Sequence, residues 1–267
     1  MPPRPSYKID VPMKIATWNV NSLRVRLPHV LNWLGQEQPD VLAVQETKMT
    51  DPEFPVAELA EAGYRAVYSG QKTYNGVAVL SKLDVCNPVT DPAGFDDPQR
   101  RILAVTVAGC RIVNLYVPNG GEVGSDKYVY KLDWLSKMRD YLRLELECHP
   151  RLIVLGDFNI APEDRDVYDP ESWRERILCS TPEREAFRTL LDLGLTDVFR
   201  RFEQAEKSYT WWDYRLYAFR RNMGLRIDHI LVSSALGENC LACRIDVEPR
   251  RLERPSDHAP VVAEFRA

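Results

Sequence analysis

The 267-residue sequence has no apolar run long enough to span a bilayer. It also has no internal repeat, low-complexity segment or interdomain linker, which excludes a solenoid or a tethered array. The first twelve residues, Met1 to Pro12, are proline-rich and lack the apolar core of a signal peptide. They read as a flexible tail ahead of one domain over 13–267. Neither sign of charge predominates: the net charge is -4, which counts against a uniformly basic nucleic-acid binder without excluding one, because local fields steer ligands. The six cysteines are scattered, and the lone CxxC at Cys240 and Cys243 has no second pair and no helix start. Free thiols buried in strands, in a reducing cytoplasm, are the expectation. Histidine is scarce, with four copies, and no serine or cysteine nucleophile stands beside an evident base of its own.

What is present is a soluble globular composition, 45% hydrophobic and 28% charged. About ten short β-rich runs are broken by a few amphipathic stretches. Helical spacing of Leu27, Val30, Leu31 and Leu34 predicts a helix over 24–36, and Leu132, Leu135, Met138, Leu142 and Leu146 predict a long one over 125–147. A shorter helix is expected from Pro55 to Ala62, and another from a Thr181 cap and Pro182 to Leu193. Residues 102–107 and 111–117 form a hairpin by their chemistry. Strands without strict βαβα alternation predict two mostly antiparallel sheets packed face to face, with helices outside.

The organising stretch is Leu152 to Pro162. A buried-strand run ends in Gly156-Asp157-Phe158-Asn159. If the extended conformation persists, Asp157 and Asn159 share one side while Phe158 returns to the core. Alone, the stretch fits a polar turn as well as a site. Other strands end in the same way: Asn19 and Asn21, Glu46, Tyr116 and Asn119, Asp228, and Asp257-His258. Should these ends converge, they assemble carboxylates, carboxamides, a phenol and an imidazole. Oxygen donors of that kind suit a hard divalent ion, and the natural chemistry is hydrolysis of a phosphate ester by activated water. Asp228 is the strand carboxylate available to bond His258. His29, His149 and His229 read as ordinary, partly buried residues.

The motifs Trp18-Asn19-Val20-Asn21-Ser22-Leu23-Arg24, Gln45-Glu46-Thr47-Lys48, Asn75-Gly76-Val77-Ala78 and Gln99-Arg100-Arg101-Ile102 occur in order. Asn114-Leu115-Tyr116-Val117-Pro118-Asn119-Gly120, Gly156-Asp157-Phe158-Asn159, Gly224-Leu225-Arg226-Ile227-Asp228 and Ser256-Asp257-His258-Ala259-Pro260 follow. From Met13 onward the chain closely resembles the bacterial exonuclease III family, apurinic/apyrimidinic endonucleases of the exonuclease–endonuclease–phosphatase superfamily.

The resemblance implies a DNase I-like four-layer α/β sandwich: two packed mixed β-sheets flanked by helices. It implies Mg²⁺, replaceable by Mn²⁺, with Glu46 as main ligand and Asn19, Asn21 and Asp257 in or near its shell. It further implies that Asp157 handles the proton of the water or leaving group, Asn159 orients the water, and Tyr116 and Asp228-held His258 bond the phosphate. Trp211, Leu225 and Ile227 would wall a pocket for a flipped-out abasic sugar. Arg100 would touch the DNA backbone, and Asn119, Trp212 and Arg226 belong to the same substrate surface.

The segment from Trp211 to Ile227 carries four arginines against one aspartate, among aromatics suited to DNA. The partner implied is double-stranded DNA with abasic sites or 3′ ends, bound by a monomer and without a membrane. A phosphatase for inositol or lipid phosphates shares the chemistry, and a DNA-binding protein with a decayed site is the rival from another class. Asn119-Gly120-Gly121-Glu122, Thr210 and Trp212 depart from related enzymes. They leave the balance of exonuclease against abasic-site cleavage open.

Overall fold

The computed structural model describes residues 12–266. The proposed tail lies outside the described residues except for Pro12. The elements run β1 (Met13–Asn19), α1 (Leu23–Glu37), β2 (Val41–Gln45), α2 (Val56–Glu61), β3 (Arg65–Ser69), β4 (Val77–Ser81), β5 (Val85–Val89), β6 (Ile102–Val107), β7 (Cys110–Tyr116) and α3 (Asp126–Cys148). They continue with β8 (Leu152–Asp157), α4 (Pro170–Trp173), α5 (Thr181–Leu191), β9 (Leu195–Asp197), β10 (Asp228–Ser233), α6 (Ser234–Gly237), β11 (Cys240–Ile245) and β12 (Val261–Phe265).

Two six-stranded sheets form, in the orders β11-β12-β1-β2-β4-β3 and β5-β6-β7-β8-β10-β9. Each has one parallel pair, β1 with β2 and β7 with β8, among antiparallel neighbours. A parallel pair needs a long crossover; α1 and α3 supply the two. Ile15, Val41, Val79 and Val261 of one sheet meet Val105, Ile112, Leu155 and Ile230 of the other in the central core. The opposite faces are covered by helices: Trp33 and Leu34 of α1 over the first sheet, and Leu135, Met138 and Phe187 of α3 and α5 over the second. Helix, sheet, sheet, helix is the expected four-layer order.

Local departures have local causes. β5 is an edge strand containing Pro88 and interrupted by an irregularity between Cys86 and Val89, so it lacks the alternating pattern of a covered strand. β9 has three residues. Neither was expected from the sequence. Helix α5 is capped one residue earlier than Thr181: Ser180 and Glu183 form a capping box, and Thr181 is already helical. The thiols are all free, but Cys86 and Cys148 are exposed, so burial holds only for the other four. Among the described residues no helix is long and apolar enough to cross a membrane.

Gly156 keeps to the sheet. It lies inside β8 at φ 141°, and an added Cβ would sit 1.9 Å from the carbonyl oxygen of Leu115 on β7. Its lack of a side chain lets β7 and β8 approach where their polar ends begin.

Candidate active site

Register brings the predicted residues to one rim. Asn19 is level with Gln45 across the β1–β2 pair, so Glu46 follows directly. Tyr116 is level with Asp157 across β7–β8, and Asp157 with Asp228 across β8–β10. The carboxyl ends of both parallel pairs therefore share a rim, and the loop before β12 adds Asp257 and His258. That loop is fastened by Ser256 Oγ, which donates to the carbonyl of Asn19 at 2.7 Å. Trp18 Nε1 also donates to the carbonyl of His258 at 3.2 Å.

Asn19 joins the two halves: its Nδ2 donates to Glu46 at 2.9 Å and to Asp157 at 2.8 Å. Its Oδ1 accepts from the Asn21 backbone N–H at 2.9 Å, which fixes the carboxamide orientation. Asn21 Nδ2 donates to Asp257 at 2.8 Å, and Trp211 Nε1 donates to the other Asp257 oxygen at 2.9 Å. Glu46 adopts φ 54° and Asn159 φ 51°, a left-handed region that disfavours side-chained residues. The surroundings over-determine the Glu46 turn: Ser22 N–H donates to the Glu46 carbonyl at 2.8 Å, and Thr47 N–H to Gly76 at 3.1 Å. Strain of this kind is held where a side chain must be aimed.

His258 Nδ1 lies 2.9 and 3.1 Å from the two oxygens of Asp228, while Nε2 faces Asp157 at 3.8 Å. Burial opposes charge on this imidazole, but the Asp228 and Asp157 carboxylates outweigh it and push its pKa up to about 10. Burial also pushes the Asp157 carboxyl up to about 7, helped by Asp228 and resisted by His258. Tyr116 lies against Glu46 and Asp157; burial and those charges hold its phenol far above the usual range. Arg101 covers the Tyr116 ring with its guanidinium 4.6 Å from the centroid.

Asp157, Asp228 and His258 cluster closely enough to suggest a cation site. A protonated imidazole, however, has no lone pair for a metal and instead donates to an anion. The Glu46 side fits a cation better. There Lys48 places its ammonium 2.8 Å from Glu46 and 2.6 Å from Asn21 Oδ1, so a positive charge already stands among hard oxygen donors. Asn19 turns its NH₂ group to the carboxylates and so orients them, and Asp257 has both oxygens engaged.

The predicted substrate surface divides. Leu225 and Ile227 pack together with Leu178 and Val167, and partly buried Trp211 lies over this cluster. Asn119 Nδ2 donates to Asn159 Oδ1 at 3.2 Å, inside the site. Arg100 pairs with Asp91 at 2.6 Å. Two placements differ from expectation. Arg226 is 2% exposed, its Nε and Nη1 lying 2.7 Å from Asp166 and Asp197 respectively; two buried aspartates, rather than phosphates, take its charge. Trp212 is also buried, donating to Asn222 at 3.1 Å and packed edge-on against Phe219. Arg215 pairs with Asp213 at 2.6 Å, which further reduces the positive charge counted for this segment.

Sequence reasoning passed over Lys48, although it ends the Glu46 motif, and Tyr214, whose hydroxyl donates to Pro255 at 2.8 Å beside Asn21. It also passed over Lys131, a lone lysine on the apolar stripe of α3.

A two-sheet sandwich with a carboxylate, carboxamide and imidazolium rim defines the class: a hydrolase of phosphate esters. The chain belongs to the Endonuclease/Exonuclease/phosphatase family, whose pattern matches residues 16–258. Exodeoxyribonuclease III of Haemophilus influenzae is 37% identical over 271 residues, covering 95% of this chain and 100% of its own. The structure of the 3′ phosphatase NExo from Neisseria, bound to a product DNA hairpin, matches with a TM-score of 0.94 and 51% identity over 96% of this chain and 100% of that one. An AP endonuclease from Archaeoglobus fulgidus matches at 0.91 and 39%, covering 95% and 99%.

Proposed function

We propose that the chain is a DNA repair nuclease that cleaves 5′ to abasic sites, leaving a 3′-hydroxyl, and trims 3′ ends of duplex DNA. The observation that carries this reading is the Asp228–His258 pair facing Asp157 across 3.8 Å, with Glu46 tied to Asp157 through Asn19. Glu46, with Asn21 and Asp257 beside it and Asn19 orienting it, would hold a divalent cation, Mg²⁺ with Mn²⁺ as substitute. Such an ion neutralises charge on the phosphate and the leaving group.

The protein's own groups supply the rest. His258, kept protonated by Asp228, donates to a phosphate oxygen, as does the Tyr116 phenol. Asp157, poised near neutrality, accepts the proton of the attacking water or returns one to the leaving oxygen. Asn159 orients that water, with Asn119 bracing its carboxamide. Trp211 meets the sugar, with Leu225 and Ile227 behind it, and Arg100 meets the backbone. Because Leu225 and Ile227 are buried, an abasic sugar enters only if Trp211 shifts. The enzyme works as one domain over 13–267, as a monomer, on nucleoid DNA in the cytoplasm.

Asp157→Ala and His258→Ala test the roles. Each is expected to lower cleavage by about 10²–10⁴-fold while DNA binding stays within a few-fold. Weakened binding with normal turnover once bound would contradict the assignment.

A further inference from the structure

Lys131 lies on the buried face of α3 with Tyr128, Leu135, Met138 and Leu142, and its side chain is wholly withdrawn from solvent. An ammonium can stay there only if its hydrogens are matched. Three acceptors meet it: the carbonyl of Asn119 at 3.1 Å, the carbonyl of Asn159 at 2.7 Å, and the equally buried carboxylate of Glu183. Glu183 in turn accepts from the N–H groups of Leu178 and Ser180, each at 3.1 Å, and from Ser180 Oγ at 2.6 Å. One buried pair thus fastens three loops, those after β7 and β8 and the one entering α5.

Charge cancellation needs only the carboxylate. The other two hydrogens go to the backbone of the two asparagines that face each other in the site. Asn159 is held in its left-handed turn from several directions. Its N–H donates to Asp157 at 2.9 Å, its Nδ2 to Val117 at 3.0 Å and Asp157 at 3.3 Å, and its Oδ1 accepts from Asn119. Lys131 holds the remaining group, the carbonyl. The loop lies directly on the lysine stem at Gly120, φ 91°, where a Cβ would come within 3.0 Å of Lys131 Cδ.

We infer that Lys131 is a positioning residue for hydrolysis, locking Asn119 and Asn159 so that the Asn159 carboxamide keeps one orientation against Asp157. This rests on the water-orienting role proposed for Asn159. The test is steady-state kinetics on duplex DNA with the full chain, alongside thermal melting. Lys131→Met is expected to lower kcat by about tenfold or more, with KM within about threefold, since a small misplacement of a reacting group is costly. The double variant Lys131→Met/Glu183→Gln removes both charges while keeping an acceptor for Ser180, and it guards against a single variant that fails to fold. It should recover the melting temperature but not kcat. In an Asn159→Ala background, Lys131→Met should cost less than about twofold more, because the orientation it protects is gone.

Wild-type kcat in the double variant overturns the inference, as does a loss confined to KM. Losses from Asn159→Ala and Lys131→Met that simply multiply overturn it alone. Wild-type kcat in Asn159→Ala by itself removes the role of Asn159 and this inference with it.

Discussion

Arg226 is a cation buried next to strand β10. Its guanidinium is enclosed by Asp166, Asp197 and His229, and it stacks 5.1 Å from the ring centroid of Phe199. Arg226 can only donate, so His229 Nδ1 must accept, at 2.9 Å. Nε2 then carries the proton, donated to the Ile160 carbonyl at 2.9 Å. A second proton would break the contact with Arg226. Burial and the Arg226 charge accordingly lower the His229 pKa from 6.5 to about 4. The unfolded chain takes up this proton at a higher pH than the folded one. The stability contribution is therefore intact above about pH 6.5 and is lost as pH falls toward 4, by roughly 3 kcal/mol in total. Denaturant unfolding should show the wild type losing more stability than His229→Gln across that window; parallel curves would contradict the assigned tautomer.

At the scale of elements, the site follows from where strands stop. Two parallel pairs, each closed by a helical crossover, must end at the same rim once their sheets pack with that register, and the polar residues are the ones placed just past those ends. The closeness of β7 and β8 is part of this. Gly156→Ala would drive a methyl group into the Leu115 carbonyl and should destabilise the protein by more than about 1 kcal/mol, with loss of cleavage. Unchanged urea midpoint and activity would show that the two strands can part there. That strands stop in polar residues was legible in the sequence, because Leu152 to Gly156 and Val41 to Val44 announce buried strands and Asp157 and Glu46 follow within two residues; that these ends meet at one rim depends on pairing between distant strands. The irregular segment from Trp211 to Ile227 was less legible. It has no period of 2 or 3.6 to separate inside from outside, so buried Trp212 and Arg226 looked the same as partly exposed Trp211. Lys131 was visible as a charge on an apolar stripe, but the partners that make it meaningful, Glu183 and two backbone carbonyls, come from distant parts of the chain.

At the scale of the whole molecule, a net charge of -4 must be reconciled with a polyanionic substrate. The rim does so locally. Lys48 stands on Glu46, Arg101 covers Tyr116, and His258 is held as a cation, so the negative charge at the rim is offset before any phosphate arrives. Beside the rim, Trp211 lies over buried Leu225 and Ile227, where the proposed contact with the sugar would fall. The most direct measurement is the product pattern of the purified protein on abasic duplex, blunt duplex and single-stranded DNA, with Mg²⁺ and with EDTA. The expected result is a nick 5′ to the abasic site bearing a 3′-hydroxyl, shortening of duplex 3′ ends, and loss of both in EDTA. DNA left intact while inositol or lipid phosphates are hydrolysed, or cleavage that persists in EDTA, would contradict it.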